Sequence, residues 1–173
     1  MKILKLATIF ITLAALATAQ GRAREAVAVP DLLTTLRSER SLAMFVTAVQ
    51  SSGMAKMLRE EGPLTVFALS NRAFANLSKE DREALLNDHG AMNFLLARYI
   101  ARGTIPTDDL ATLQSARTLV GVKFHVDIRG EGSYVNGAKL SAVEIRCSNG
   151  VIHVLDSFDP GLLHDALAIS RKK

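Results

Sequence analysis

The sequence contains no tryptophan, and aromatic residues make up only 5% of its 173 residues. Surfaces that stack bases or sugars are usually built from aromatic rings, so this composition argues against such a surface. The formal net charge is +4, but the basic residues are dispersed apart from the terminal Arg171-Lys172-Lys173. Because nucleic-acid binding normally needs a basic face or stripe, we predict no nucleic-acid partner.

A single cysteine, Cys147, excludes an intramolecular disulfide. In an exported protein such a residue is a buried small side chain, a reactive thiol or half of an intermolecular bridge. Within AVEIRCS, Val143, Ile145 and Cys147 alternate with two charged residues, which places them on one face of a strand. We therefore expect Cys147 to point into the core as a small apolar residue.

The long apolar run of the chain lies at its beginning. Lys2 and Lys5 precede the run from Leu6 to Ala17, and Ala17-Thr18-Ala19 has the A-x-A pattern of a cleavage site. The alternative is an uncleaved membrane helix, but the run is short for the ~20 residues that cross a bilayer. We predict a signal peptide at 1–19 and export to the periplasm or the extracellular space. No integral membrane segment is then expected in the mature chain.

The rest of the chain changes its hydrophobic period near the middle. Apolar spacings of three and four predict helices between 31 and 61, from 78 to about 86, and from about 91 to 102. Ser78-Lys79-Glu80-Asp81 resembles a capping box, which predicts that Ser78 caps the second of these. The stretch LTVFAL at 64–69 is typical of a strand buried on both faces. We expect one α+β domain at 31–168. A short leader at 20–30 precedes it, and a basic tail at 169–173 follows.

From Thr118 onward the apolar residues alternate with a period of two, which predicts antiparallel strands, including Leu119-Val120 and the stretch 122–128. Asn136-Gly137 and Asn149-Gly150 separate further strands. Asn-Gly favours the type I′ turn, in which both central residues have positive φ, so each pair predicts a tight hairpin.

His153 raises the question of catalysis, because Asp156 follows three positions later in VIHVLD. On a regular strand, residues at that spacing project to opposite faces, so the two side chains are not expected to form a dyad. A histidine among aliphatic residues more often bonds a backbone group. The sequence also lacks zinc-ligand spacings, a nucleophile elbow and phosphate-binding loops, so we expect no catalytic residue, metal or cofactor.

Two longer motifs connect the chain to a known family. TVFALSNRAF at 65–74 resembles the first homology box of fasciclin domains, and NGVIHVLD at 149–156 resembles the second. TLVG at 118–121 and VNG at 135–137 match shorter family elements in the same order. The resemblance implies an α+β fold with an antiparallel β-sandwich or wedge flanked by several helices, mainly in the N-terminal half.

The resemblance also assigns a structural role to the motif residues. Asn71 is expected to hold the turn from strand to helix, and His153 is expected to lie in a central strand. The full set expected to serve the fold is Thr65, Phe67, Asn71, Phe74, Asn136, Gly137, Asn149, Gly150, His153 and Asp156.

For function, the resemblance implies a non-enzymatic, exported module for cell adhesion or surface and matrix interaction. Its partner would be an unidentified cell-surface or extracellular-matrix protein or polysaccharide. Arg98-Tyr99 stands where the family often has a Tyr-His pair, and Glu144-Ile145 where a proposed integrin contact has Asp-Ile. These four are the candidate interaction residues, and their departures argue against integrin recognition. Two alternatives are a small-ligand or polysaccharide-binding protein and an extracellular hydrolase.

Overall fold

The computed structural model describes residues 28–110, 112, 116–129 and 132–172. The predicted signal peptide at 1–19 and the leader up to residue 27 lie outside the described residues. The helices are α1 Leu32–Ser38, α2 Ala43–Ser51, α3 Ala55–Glu60, α4 Asn71–Ala75, α5 Lys79–Asn87, α6 His89–Leu96, α7 Thr107–Leu110 and α8 Pro160–Ser170. The strands are β1 Leu64–Leu69, β2 Ile100–Arg102, β3 Ala116–Arg117, β4 Lys123–Phe124, β5 Val126–Arg129, β6 Gly132–Val135, β7 Ala138–Cys147 and β8 Gly150–Leu155.

The helical first half begins at capped turns. The Asp31 carboxylate accepts from the Thr34 amide at 2.8 Å at the start of α1. Ser78 accepts from the Asp81 amide at 3.0 Å, as the capping pattern in the sequence predicts. Leucines at helical spacing in α1 are buried, and the next helices add Phe45 and Leu58 to the same core. The predicted helical layer is therefore confirmed.

A curled, six-stranded sheet of order β2-β1-β8-β7-β6-β5 forms the second layer, and β3 and β4 form a separate pair. The expectation of a purely antiparallel arrangement is wrong at the centre of the sheet. There β1 and β8 run parallel, residue for residue from Leu64↔Gly150 to Leu69↔Leu155. Strands far apart in sequence are free to pair in parallel, because no tight hairpin joins them.

Both central strands are buried along their whole length. Helices α1, α2 and α4 contact them on one side. On the other side, the Phe124 ring of β4 meets the Phe67 ring of β1 edge to face, with centroids 4.8 Å apart. Because each face has a cover, both strands are apolar without alternation, as LTVFAL predicts.

The helix predicted from about 91 to 102 is too long. It ends at Leu96, and Ile100–Arg102 form β2, which pairs antiparallel with β1. Ile100 and Ala101 are fully buried in this position. The backbone bonds to β1 and this burial outweigh the helical spacing of the segment.

The two Asn-Gly pairs form different turns. Asn136 and Gly137 have φ of 50° and 83°, which fits the predicted turn between β6 and β7. At the second pair, Gly150 is already in β8 opposite Cys147, and Asn149 is not among the described residues with positive φ. The hairpin is present, but its two loop residues are Ser148 and Asn149.

Two smaller expectations also need correction. Leu119 and Val120 form the turn between β3 and β4 instead of a strand. Val143 is 55% exposed because the register of β7 shifts between Leu140 and Glu144, although Ile145 and Cys147 do pack against the core. The last helix, α8, continues to Ser170.

Candidate functional site

Two motif residues, Thr65 and His153, and the candidate interaction residue Glu144 converge on one short segment, residues 103–107, which we call the strap. It follows β2 and leads into α7. The buried Thr65 hydroxyl donates to the Gly103 carbonyl at 2.7 Å and accepts from the Ile105 amide at 2.9 Å. Thr65 therefore satisfies both polar groups of its hydroxyl by holding the start of the strap against β1.

His153 holds the same segment from β8. Its Nε2 lies 2.7 Å from the Ile105 carbonyl oxygen, and the side chain is 1% exposed. A carbonyl oxygen only accepts, so Nε2 carries the proton in this contact. The ring stacks on Phe67, with centroids 5.4 Å apart and planes at 23°. Burial lowers the pKa of His153, which favours the neutral imidazole.

Glu144 holds the far end of the strap from β7. Its Oε2 accepts from the Thr107 amide at 2.6 Å and from the Thr107 hydroxyl at 2.8 Å. Its Oε1 accepts from Arg146 Nε at 2.9 Å. The bond from the Thr107 backbone is the main reason that the pKa of Glu144 falls to about 2. This carboxylate, one of the candidate interaction residues, is thus used by the protein itself at the start of α7.

Asp156 does not join His153. Its Oδ1 accepts from the Ser70 hydroxyl at 3.0 Å, while His153 bonds the strap. Ser70 also caps α4 through the Ala73 amide at 3.3 Å. The His/Asp spacing therefore serves two separate structural contacts, and the structure does not assemble the dyad that the sequence suggested.

The two motif asparagines join distant elements. Asn149 Oδ1 accepts from the Leu32 amide at 2.8 Å, and its Nδ2 donates to the carbonyls of Leu58 at 3.0 Å and Glu61 at 2.8 Å. One amide thus satisfies the start of α1 and the end of α3. Sequence reasoning missed this role, because Leu32 lies 117 positions away from Asn149.

Asn71 acts in the same way on α2. Its Oδ1 accepts from the Met44 amide at 2.9 Å and its Nδ2 donates to the Arg40 carbonyl at 2.9 Å. Asn71 was expected to hold the turn from β1 to α4, and this expectation is wrong because its bonds go to α2 and the residue Arg40 before it. Ser70 caps that turn, and Asn71 caps a helix that lies earlier in the chain.

The other candidate interaction residues differ in exposure. Arg98 lies over the Phe94 ring, 3.6 Å from its centroid, and donates to the Phe94 carbonyl. Tyr99 is only 2% exposed, and its hydroxyl accepts from the Asp159 amide at 2.9 Å. Tyr99 therefore belongs to the core, and its side chain presents no contact surface. Ile145 is partly buried against the core.

The remaining motif residues pack the core. Phe74 meets Phe158 edge to face at 5.1 Å, which connects α4 to the segment after β8. A Cβ on Gly150 would collide with the Leu64 carbonyl, so the parallel pairing of β1 and β8 requires glycine there. The Asn136 side chain accepts from the His125 amide at 2.7 Å and braces the β6–β7 turn against β5.

An open groove of about 490 Å³ lies beside the strap. Its walls include Pro63, Thr104, Arg146 and Val151, and Glu144 forms part of its floor. In the described part of the chain, no three histidine, cysteine or acidic side chains are grouped to hold a metal ion. Within the same residues, no helix has the length and apolar character to cross a membrane.

Comparison with known proteins agrees with this arrangement. The family model named Fasciclin domain matches residues 40–158, which include both homology boxes and the strap. The chain belongs to the fasciclin domain family. The expected fold class is therefore confirmed, with the strand-pairing correction given above.

Relatives of this fasciclin domain occur in bacteria and animals. The uncharacterized protein sll1735 of Synechocystis sp. is 28% identical over 74% of this chain and 96% of its own length. Protein sll1483 of the same organism is 32% identical over 64% of the chain and 62% of its own length. Transforming growth factor-beta-induced protein ig-h3 of Sus scrofa is 27% identical over 73% of the chain, which spans only 18% of that longer protein.

A solved structure of a FAS1 domain pair from the insect cell adhesion molecule Fasciclin I shows the same fold. The TM-score is 0.66 at 17% identity, and the match covers 76% of this chain and 51% of the other. At this identity the match supports the fold, and the roles of individual residues come from the contacts described above.

Proposed function

We propose that this fasciclin domain is an exported, non-enzymatic module that binds a component of the cell surface or the extracellular matrix. The observation that carries the proposal is the use of two titratable groups. His153 and Glu144, which could in principle serve acid–base chemistry, both hold the strap through short hydrogen bonds to its backbone. Such groups stabilise a scaffold, and they leave recognition to the exposed surface.

Two further observations support the adhesion role. The chain covers nearly the whole length of a single-domain relative, sll1735, so one fasciclin domain also occurs alone in that protein. The domain pair with the same fold comes from a protein described as a cell adhesion molecule. The predicted signal peptide at 1–19 would deliver such a module to the outside of the membrane.

The experiment is binding of the purified mature protein to intact host cells, isolated envelopes and matrix or exopolysaccharide fractions. We expect saturable binding to at least one of them and none by a heat-unfolded sample. A folded protein that binds no fraction would contradict the adhesion role. Hydrolysis of ester or glycosidic substrates that is lost in His153→Gln without a loss of folding would favour the hydrolase alternative.

The groove beside the strap favours a second candidate, a carrier of a small ligand or a polysaccharide segment. Its volume of about 490 Å³ is within the range of small-molecule sites, and Arg146 and Pro63 give it both charge and apolar surface. Native mass spectrometry of protein isolated from its own host would detect a stoichiometric adduct. Loss of that adduct in Arg146→Gln would place it in the groove, and protein without any adduct would exclude a resident ligand.

A further inference from the structure

The hairpin of β3 and β4 carries basic side chains without an acidic residue beside them in sequence. From Leu110 to Val126 the sequence contains no acidic residue, while it contains Arg117 and Lys123. These two cations are direct partners across the strand pair, and both are exposed. Like charges opposite each other on neighbouring strands destabilise the pairing. This short strand pair, with two residues per strand, therefore holds two positive charges side by side at the surface.

A third cation extends the same row. Ala101 of β2 bridges Thr118 in antiparallel sense, and one step along each strand brings Arg102 beside Arg117. Arg102 is also exposed. Its guanidinium lies 4.0 Å from the carboxylate of Glu61, in the loop before β1. Residues opposite each other on adjacent strands share a face, so Arg102, Arg117 and Lys123 form a basic row across three strands.

The end of the hairpin is apolar and exposed. Val120 and Val122 flank Gly121 in the turn and are 50% and 42% exposed, which places them among the most exposed large aliphatic side chains of the described residues. The turn itself is well fixed. The Thr118 amide donates to the Val122 carbonyl at 2.9 Å, and the Leu119 amide donates to the Ile100 carbonyl of β2 at 2.8 Å. The valines are therefore held outward by an ordered turn.

We propose that the β3–β4 hairpin docks this protein onto an anionic lipid bilayer. The basic row faces the headgroups, and Val120 and Val122 enter the interface between headgroups and acyl chains. Charge complementarity favours an anionic surface, and each basic residue near such a surface raises the partition coefficient roughly fivefold. The aliphatic tip favours lipid over a polysaccharide, because a hydroxyl-rich polymer offers no apolar phase for two valines.

Lipid docking deepens the proposed function. It rests on that function in one respect, since the protein must meet a membrane surface outside the cytoplasm. It also fits the finding that, within the described residues, no helix is suited to crossing the bilayer. Association through a hairpin tip and three cations is peripheral and reversible, and it is sensitive to salt.

The test is co-sedimentation of the mature protein with vesicles of phosphatidylcholine alone or mixed with phosphatidylglycerol. We expect binding to the anionic vesicles at low salt, weak binding to the neutral ones, and release at ~1 M salt, where screening acts over about 3 Å. Arg117→Gln with Lys123→Gln should weaken anionic binding roughly 25-fold. Lys79→Gln with Lys172→Gln makes the same change in net charge outside the hairpin and should leave binding nearly unchanged.

A second variant tests the apolar tip. Val120→Thr with Val122→Thr keeps the β-branched shape and should weaken vesicle binding roughly tenfold while preserving its salt dependence. Circular dichroism and melting temperature establish that each variant is folded. A folded wild-type protein that ignores anionic vesicles would overturn the proposal, and so would equal losses in the hairpin variant and its charge-matched control.

Two outcomes separate this inference from the wider function. Binding to cells or matrix without vesicle binding would overturn lipid docking and leave the adhesion role intact. Binding to soluble alginate that survives the valine substitutions, with no vesicle binding, would identify an anionic polysaccharide as the partner of the basic row and would also overturn the proposal.

Discussion

His153 and Glu144 are direct neighbours across β8 and β7. His153 holds the middle of the strap, and Glu144 holds its far end. His153 bonds the Ile105 carbonyl, while Glu144 bonds the Thr107 amide. One group is a neutral donor and the other is an anionic acceptor, so each matches the polarity of the backbone group it meets. Together with Thr65, they make the position of the strap dependent on side chains from three adjacent strands, β1, β8 and β7.

Replacement of His153 by alanine removes a buried hydrogen bond and the ring that stacks on Phe67. We expect the free energy of unfolding to fall by about 1–3 kcal/mol. Chemical denaturation measures this change, and His164→Ala at an exposed position of α8 serves as the matched control. Equal stability of the two variants would mean that the strap is held without His153.

The histidine also predicts a pH dependence. Its pKa in the folded protein is below the ordinary value of 6.5, so the unfolded chain binds the proton first as the pH falls. Stability from this group is therefore complete above about pH 6.5 and decreases as the pH falls toward the folded pKa, with a slope of at most ~1.4 kcal/mol per pH unit. Denaturation curves between pH 7.5 and 5 should show this decrease, and His153→Gln should remove it.

Glu144 acts in a lower pH range, where uptake of a proton neutralises a charge instead of creating one. Its pKa is about 2 in the folded protein against an ordinary 4.5, so its stabilisation is present above about pH 4.5 and is lost as the pH falls toward 2. Because the side chain is partly screened by solvent, we expect Glu144→Gln to lose about 1–2 kcal/mol at pH 7. The variant and the wild type should converge near pH 2, and a constant difference across that range would contradict the assignment.

Asn149 is expected to matter more than its place in a surface turn suggests. Asn149→Ala removes three hydrogen bonds that join α1, α3 and β8. The loss should be about 2–4 kcal/mol, since each bond contributes about 1 kcal/mol and the partners are left without it. Asn76→Ala, at an exposed asparagine after α4, is the control and should change the melting temperature little.

Two glycines form a further matched pair. Gly150→Ala forces a Cβ into the Leu64 carbonyl and should separate β1 from β8, which we expect to prevent stable folding. Gly103 has a φ of 90° with open space around its Cβ position, so Gly103→Ala should cost only about 1–2 kcal/mol. Expression yield and thermal melting would distinguish the two, and similar behaviour would contradict the close-approach argument.

The sequence predicted local features well. The cap at Ser78, the buried strand at 64–69 and the turn at Asn136-Gly137 depend on neighbouring residues, whose preferences are readable in a single chain. The structural role of His153 was also predicted, because residue spacing alone separated it from Asp156.

The features that escaped prediction depend on distant partners. The helical spacing after Leu96 does not produce a helix, because Ile100 pairs with β1 instead. Glu144 was assigned to the interaction surface, because its partner Thr107 lies 37 positions earlier in the chain. Tyr99 was a candidate interaction residue, but its hydroxyl accepts from the Asp159 amide in the core, 60 positions away. No local pattern records contacts of this kind.

The parallel pairing of β1 and β8 also dictates an order of events during synthesis. Each residue of β1 lies beside a partner 86 positions later, so the strand at the centre of the sheet has no neighbour on that side until the chain is almost finished. Contacts of such long range slow folding, because a large loop must close before they form. The central parallel pair of a nascent chain therefore cannot form before β8 has emerged, so the middle of the sheet is completed late in synthesis.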